Sequence, residues 1–250
     1  MWKPAERIKY KANPEPAPTA EEVEASLWYS PVQLGNTVLK HRTWVPAMVP
    51  WRSTEEGKVT KDVIEWYARF AEGRPGAIVV EATGIRDVAS GPLLRISDDR
   101  FIEGLKELTA AVHEASHGET RLFIQLIDFL SIRRRPDPVK YFSRFLQITE
   151  QHRRRLKMEN AEDEVIRTKL LSLSDEEITE ILSERELQAL QFGYRERVTD
   201  VEQEHIRNLP EVLPDLFANA ARRAKEAGFD GVELHYAHAY TMASFLSAKN

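Results

Sequence analysis

The chain has 250 residues, of which 42% are hydrophobic and 30% are charged, and its formal net charge is −5. This composition is that of a globular protein with enough apolar residues for a sizeable core, and the slight acidity gives no indication of nucleic-acid binding. The chain contains no cysteine, which excludes disulfides, thiol catalysis and cysteine-bound clusters for this chain. It has no apolar run of about 18 residues to span a bilayer and no apolar signal-peptide segment at its N-terminus, so we expect a cytoplasmic protein.

The first part of the chain is predicted to be an arm followed by a hairpin. Residues 1–27 are charged and rich in proline, which predicts an extended N-terminal arm. The stretch from Tyr29 to Lys40 predicts a small hairpin, in which Leu34-Gly35-Asn36 supplies the turn.

Apolar strands and helices alternate after the hairpin. Apolar runs at residues 44–48, 77–80 and 122–126 predict buried strands, and the stretches at residues 60–71 and 98–116 predict helices between them. The continuous apolar character of the second run is typical of a parallel strand covered on both faces. This βαβαβ order predicts a parallel α/β fold.

Residues 131–210 interrupt this alternation with a long, charged and mostly helical segment. Residues 131–160 carry nine Lys/Arg against three Asp/Glu, and residues 161–190 carry three against nine. One interpretation is a solvated helical excursion whose two halves attract each other. The other is a lid over the active site, with Arg133, Arg134 and Arg135 available to hold a substrate phosphate.

Beyond this segment, a polar cluster follows a short apolar strand. A helix predicted at Leu216–Ala227 leads through a glycine turn into a strand at Gly231–Leu234, which ends on His235, His238 and Tyr240. Reactive side chains at the carboxyl end of a strand are typical of the active site of a (β/α) barrel. Two imidazoles and a phenol can hydrogen-bond a substrate oxygen and deliver a proton. The alternative is that the two histidines are ordinary polar residues at a strand end.

Five segments together resemble the old yellow enzyme family of FMN-dependent NADH:flavin oxidoreductases and ene-reductases. The resemblance lies in residues 30–36, 39–42, 80–83, 124–126 and 227–235, and the last of these is the most specific.

The resemblance implies an α/β fold of the TIM (β/α)8-barrel type. It covers residues 29–130 and 211–250, which correspond to the first four βα units, and it makes residues 131–210 a charged helical insertion between strands 3 and 4. Residues 28–250 are thus expected to form a partial barrel domain. A closed barrel takes eight strands. We therefore expect a complementary C-terminal half-barrel, either on a longer polypeptide or in a partner subunit, and we expect the present chain to be inactive alone.

The resemblance also implies a reaction. NADH or NADPH would reduce FMN, and the flavin would pass hydride to the activated C=C bond of a small α,β-unsaturated carbonyl compound or acyl thioester. His235 and His238 match the pair that hydrogen-bonds the carbonyl oxygen, and Tyr240 matches the proton donor. The three arginines at 133–135 favour a coenzyme A ester as the substrate.

Further positions match residues that border the flavin. Gln125 corresponds to the side chain that pairs with the polar edge of the ring, Ala82 borders the ring through its backbone, and Met48 and Val49 lie beneath the reactive centre. Because valine cannot hydrogen-bond the ring, Val49 predicts an altered flavin potential.

Two further positions depart from the family. Tyr236 and Ala239 stand where relatives have glycine, and Tyr236 is expected to add bulk near the mouth of the pocket.

Two other functions compete with this interpretation. Residues 113–117 fit the His-Glu-x-x-His pattern, in which His113 and His117 would lie one turn apart on a helix and bind zinc with Glu114 as base of a hydrolase. The second alternative is a non-catalytic half-barrel that only docks a partner.

Overall fold

The computed structural model describes residues 16–88, 91–132 and 135–248. The strands, in chain order, are β1 (Val32–Leu34), β2 (Thr37–Leu39), β3 (Trp44–Val45), β4 (Ala77–Gly84), β5 (Arg121–Ile127) and β6 (Gly231–Leu234). The first two form an antiparallel hairpin, and the other four form one parallel sheet in the order β3-β4-β5-β6. The predicted hairpin and the four successive parallel strands are therefore confirmed.

Helices connect these strands and cover the sheet. The α-helices, in chain order, are α1 (Ala20–Glu24), α2 (Lys61–Ala71), α3 (Ile102–Ala115), α4 (Pro138–Lys140), α5 (Glu150–Leu156), α6 (Asp163–Leu171), α7 (Asp175–Ile181), α8 (Glu184–Phe192), α9 (Glu204–Arg207), α10 (Leu209–Glu226) and α11 (Thr241–Ser244). Two short 3-10 turns (Leu27–Tyr29 and Asp99–Phe101) and a π-helical turn (Tyr141–Phe145) complete the list. No helix in the described part of the chain has the length and apolarity needed to cross a membrane.

The main core lies between the sheet and helices α2, α3 and α10. All eight residues of β4 are buried, as expected for a strand covered on both faces. Helix α2 begins where Thr60 Oγ1 accepts a hydrogen bond from the backbone N–H of Val63, at 3.2 Å, and it buries Val63 and Tyr67. Helix α10 buries Leu213, Phe217 and two alanines in the same core. The sheet is thus fixed firmly enough to position side chains at its carboxyl edge.

Three elements differ from their predicted bounds. The strand predicted at residues 44–48 is β3, which is only two residues long because Pro46 has no N–H to donate to a neighbouring strand. Helix α10 begins at Leu209, well before the predicted Leu216, since Pro210 in the first turn needs no helical N–H partner. The predicted arm is not wholly extended: Thr19 and Glu22 form a capping box that starts α1. Residues 1–15 of the arm lie outside the described residues.

The insertion has a hydrophobic core of its own. This second core is formed by nine buried residues, Tyr141, Phe142, Leu146, Ile166, Leu170, Ile178, Ile181, Leu182 and Ala189. The insertion is therefore more than a solvated excursion held by charge attraction.

Two basic residues link the halves of the insertion. Arg155 donates hydrogen bonds to the carbonyls of Glu180, Ile181 and Leu182 at 3.0–3.2 Å. The buried His152 pairs with Glu186 at 3.1 Å. The predicted attraction between basic and acidic halves thus acts partly through backbone carbonyls. In the predicted arginine triplet, Arg133 and Arg134 lie outside the described residues, and Arg135 is exposed.

Candidate active site

Most of the predicted site residues meet in one cleft at the carboxyl edge of the sheet. A cavity of about 360 Å³ is lined by Val49, Ala82, Gln125, His235, His238 and Tyr240, together with Ala47, Trp51, Leu93, Ile127 and Phe129. These residues follow or end four successive strands, which explains how positions nearly 200 residues apart come together. Met48 is 41% exposed and is not among the lining residues of this cleft.

The two histidines are in direct contact. His235 Nε2 and His238 Nδ1 are 3.3 Å apart, and the backbone N–H of Ala237 donates to His235 Nδ1 at 3.4 Å. Because His235 Nδ1 accepts a hydrogen bond, its proton resides on Nε2 and is directed at His238. Partial burial, aided by the neighbouring imidazole of His238, lowers the pKa of His235. Partial burial thus favours the neutral form of His235, and the contact between the two rings places both imidazoles at the cleft.

The loop after β6 has an unusual backbone. His238 and Ala239 have φ values of 56° and 58°, in the left-handed region that disfavours residues with a Cβ. The loop is tied to the sheet at its start, where the N–H of His235 donates to the carbonyl of Leu126 at 2.9 Å. At its end, the Tyr240 ring packs edge-on against Phe129, with centroids 5.4 Å apart. Both anchors direct the three polar side chains into the cleft.

Tyr236, by contrast, does not fill the mouth of the cleft. Its ring packs edge-on against Phe217 of α10, at 5.5 Å between centroids. The expectation that Tyr236 adds bulk near the mouth is wrong, because its ring packs against Phe217 and the residue is not among those that line the cleft.

The floor of the cleft is apolar. Ala82, Leu93, Ile127 and Phe129 form a small buried cluster, against which Val49 and Tyr240 pack. The register between β4 and β5 shifts between Val80 and Thr83, a bulge that turns Ala82 toward the cleft. A small side chain at this position leaves room for a planar ring.

Gln125 supplies the polar edge of this floor. Its Nε2 donates to Glu233 Oε1 across the two neighbouring strands at 2.6 Å. This bond orients the amide, and its carbonyl oxygen has no hydrogen-bond partner among the described residues. The cleft therefore presents one amide acceptor beside an apolar surface. None of the described residues that line it is arginine or lysine.

Sequence reasoning missed residues that brace the cleft. Arg86 and Asp128 follow β4 and β5 directly and form a bidentate ion pair in which the Asp128 side chain is fully buried. Their placement just after buried strands was the available signal. Trp51, which lines the cleft with 58% of its surface exposed, carried no pattern that would have identified it.

The helical geometry predicted for a zinc site at residues 113–117 is not present, so this prediction is wrong. Helix α3 ends at Ala115, and His117 has a φ of 52°, so the two histidines do not lie one turn apart on a helix. His113 instead lies near Asp230 Oδ2, at 3.4 Å, at the opposite edge of the sheet from the cleft. Gly118 follows in the left-handed conformation and completes the end of the helix.

Comparison with protein families gives an extended match. A family model described as the NADH:flavin oxidoreductase / NADH oxidase family matches residues 28–250. The NADH oxidase of Thermoanaerobacter brockii is 27% identical over 225 residues, which cover 88% of this chain and 27% of that protein. The NADPH dehydrogenase of Bacillus subtilis (strain 168) is 28% identical over 227 residues, which cover 88% of this chain and 51% of that protein. The chain thus spans about a quarter to a half of the length of these curated relatives.

Solved structures show the same architecture. The crystal structure of Old Yellow Enzyme from Pichia sp. AKU4542 matches with a TM-score of 0.55 at 21% identity, over 90% of this chain and 50% of that one. The old yellow enzyme from Trypanosoma cruzi matches with a TM-score of 0.53 at 21% identity, over 88% of this chain and 53% of that one. The predicted fold class, a partial α/β barrel of the TIM type, is confirmed, and the described residues form no closed barrel.

Proposed function

The chain belongs to the NADH:flavin oxidoreductase / NADH oxidase family, and from this premise we propose that it carries the acceptor side of an FMN-dependent active site. The reaction is reduction of the activated C=C bond of an α,β-unsaturated carbonyl compound or acyl thioester, with NADH or NADPH as reductant. The observation that carries the proposal is the convergence of His235, His238 and Tyr240 on the cleft beside Gln125 and Ala82.

The cleft fits the ring of FMN but not its phosphate. Ala82, Ile127 and Val49 offer an apolar surface to a flat ring, and Gln125 offers a hydrogen-bond acceptor to its polar edge. When bound, FMN takes hydride from the nicotinamide reductant and supplies it to the acceptor. Because no lysine or arginine is among the described lining residues, contacts to the phosphate have to come from elsewhere.

We propose that further βα units supply those contacts. In the described residues β6 pairs only with β5, and β3 pairs only with β4, so the sheet has two open edges. A sheet of this type closes as a barrel of eight strands, which removes both edges. The additional units belong to a longer polypeptide or to a partner subunit.

His235 and His238 hold the carbonyl oxygen of the acceptor. When the substrate oxygen enters the cleft, the Nε2–H of His235 breaks its hydrogen bond to His238 Nδ1 and donates to the substrate oxygen instead. His238 donates to the same oxygen from its own Nε2. Negative charge grows on this oxygen as hydride reaches the β-carbon, so two donors preset in a partly buried cleft stabilise the transition state more than the substrate.

Tyr240 delivers the proton. Its ring lies 5.1 Å from that of His235, between centroids, and its position is fixed by Phe129. The phenol O–H protonates the α-carbon, and solvent returns the proton to the phenolate oxygen. Val49 offers no hydrogen bond to the ring, which predicts a flavin potential different from that of a relative with a polar residue there.

The test is to supply the four further βα units that this proposal requires, either fused after residue 250 or as a second chain, and to record the flavin absorbance spectrum. The enzyme proposal predicts a stoichiometric, protein-bound FMN and NAD(P)H-dependent reduction of an enone. A complex that forms a closed barrel but stays colourless in saturating FMN would instead favour the partner-docking alternative.

A further inference from the structure

A second cavity adjoins the cleft. Its volume is about 550 Å³, and it lies between residues 195–199 at the end of the insertion and residues 238–244 after β6. Phe129, His238 and Tyr240 line both this cavity and the cleft. A molecule whose carbonyl lies against His238 can therefore extend directly into the second cavity.

The outer wall of this cavity is fixed to the sheet. Ile132 and Arg195 form an antiparallel bridge, and the N–H of Glu196 donates to the carbonyl of Ser131 at 3.0 Å. The N–H of Ser131 in turn donates to Glu196 Oε2 at 2.7 Å. These bonds make a short two-stranded stalk that places the side chains of residues 195–197 beside the loop after β6.

The charge of this wall is positive. The titratable side chains that line the cavity are Arg195, Glu196, Arg197, His238 and Tyr240. The carboxylate of Glu196 is already engaged, because it accepts from Ser131 and pairs with His205 at 2.9 Å. Within the described part of the chain, the exposed guanidinium of Arg195 has no hydrogen-bond or ion-pair partner. Arg197 donates to Gln188 and keeps further N–H groups.

We propose that this cavity is a subsite for an anionic group, a carboxylate or a phosphate, on the acceptor whose carbonyl binds at His235 and His238. The inference rests on the proposed function and names its substrate class as unsaturated carbonyl compounds that carry a negative charge. Arg195 provides the bidentate contact for which a guanidinium is suited, and Arg197 adds a second positive charge. Arg135, one of the arginines expected to hold a phosphate, is not among the lining residues.

The test uses three matched probes and the full chain. They are 4-phenylbut-3-en-2-one, its para-carboxylate and its para-phosphate ester, and binding is measured by titration calorimetry. We expect the wild type to bind the charged probes more tightly than the neutral one. Arg195→Gln should weaken binding of a charged probe about 10-fold and leave the neutral probe unchanged, while Arg195→Lys retains part of the preference. The probe that loses more identifies carboxylate or phosphate as the ligand.

Arg144→Gln is the control, since Arg144 is also an exposed arginine of the insertion but lines neither cavity. If it weakens charged probes as much as Arg195→Gln does, the effect is general electrostatics and the subsite is wrong. Equal weakening of neutral and charged probes, or binding of no probe, also overturns it.

The proposed reaction is assayed separately, with FMN and the completed barrel. Arg195-dependent binding of charged probes without turnover would refute the reaction and leave the subsite standing. Turnover of the neutral probe with no preference for a charged one would do the reverse. If Arg195→Gln raises the KM for NADPH but not for NADH or a charged acceptor, the cavity holds the phosphate of the reductant and the acceptor proposal fails.

Discussion

The guanidinium of Arg86 donates hydrogen bonds to both carboxylate oxygens of Asp128, from Nε to Oδ1 at 2.6 Å and from Nη2 to Oδ2 at 3.0 Å. The same Nη2 also donates to the backbone carbonyl of Phe129, at 2.8 Å. The pair joins the ends of two central strands beneath the cleft. Because the carboxylate is fully buried, the pair is a constraint on the position of Phe129 and, through it, of Tyr240.

Removing one partner of this pair should be costly. Arg86→Ala leaves a buried carboxylate without its partner, and we expect the free energy of unfolding to fall by about 3–5 kcal/mol in urea denaturation. Arg100→Ala is the matched control, because Arg100 pairs with Asp87 where both side chains are about half exposed, and it should cost less than about 1 kcal/mol. Equal losses of stability for the two variants would show that the buried Arg86–Asp128 pair contributes no more than an exposed ion pair.

Glu81 gives the fold a dependence on pH. Its carboxylate is buried beneath α2, where Tyr67 Oη donates to Oε2 at 3.1 Å and accepts from the Glu81 N–H at 2.8 Å. Burial raises the pKa of Glu81 to about 7. The folded state thus holds a proton that the unfolded state has released above pH 4.5. The stability from this group is complete below pH 4.5 and is lost as pH rises to about 7.

Glu81→Gln should remove this dependence. We expect the variant to be more stable than the wild type by up to about 3 kcal/mol at pH 8 and to differ little at pH 4. Urea denaturation at the two pH values measures the difference. Glu107→Gln, on the exposed face of α3, removes the same charge and should show no such pH-dependent gain. A gain of the same size at both pH values would contradict the raised pKa.

Ala239 should be improved by glycine. Its φ of 58° carries a steric cost that glycine avoids. We expect Ala239→Gly to raise the free energy of unfolding by about 1 kcal/mol. Ala237→Gly, two residues earlier at a φ that is not positive, only adds freedom to the unfolded chain and should destabilise. A loss of stability in both variants would contradict the left-handed backbone conformation of Ala239.

Tyr240→Phe tests the proton donor. In the completed, FMN-loaded enzyme we expect the rate of alkene reduction to fall by about 10²-fold or more, with the rate of flavin reduction by NADPH unchanged. Stopped-flow absorbance separates the two half-reactions. The phenylalanine ring keeps the packing against Phe129, so the midpoint of thermal unfolding serves as the structural control. Unchanged alkene reduction would remove Tyr240 from the mechanism.

Local patterns predicted the strands and the polar loop because they depend on residues near one another in the chain. The stretch from Gly228 to Tyr240 contains a glycine turn, an apolar strand and reactive side chains, and all three can be predicted from neighbouring residues. Arg86 and Asp128 are 42 residues apart, and only the parallel pairing of β4 and β5 brings them together. The family resemblance supplied the roles assigned to Gln125 and Ala82, which no spacing rule contains.

Other features depended on tertiary packing. The charge counts of the insertion suggested two attracting halves, but its second core comes from apolar residues spread thinly from Tyr141 to Ala189. Each contributes to a surface that exists only once the short helices meet. The positive wall formed by Arg195 and Arg197 could not be predicted from the sequence for the same reason. The stalk that holds this wall pairs residues over 60 positions apart.

The second core has a thermodynamic consequence. A segment with its own apolar centre, joined to the sheet by a short stalk, can open as a separate cooperative unit while the sheet remains folded. Arg195 moves away from the second cavity when that unit opens, whereas His235 and Tyr240 stay on the sheet side. On heating, the preference for charged over neutral acceptors should therefore disappear at a lower temperature than catalysis itself. The midpoint temperature for loss of selectivity should be that of unfolding of the insertion, not that of the sheet.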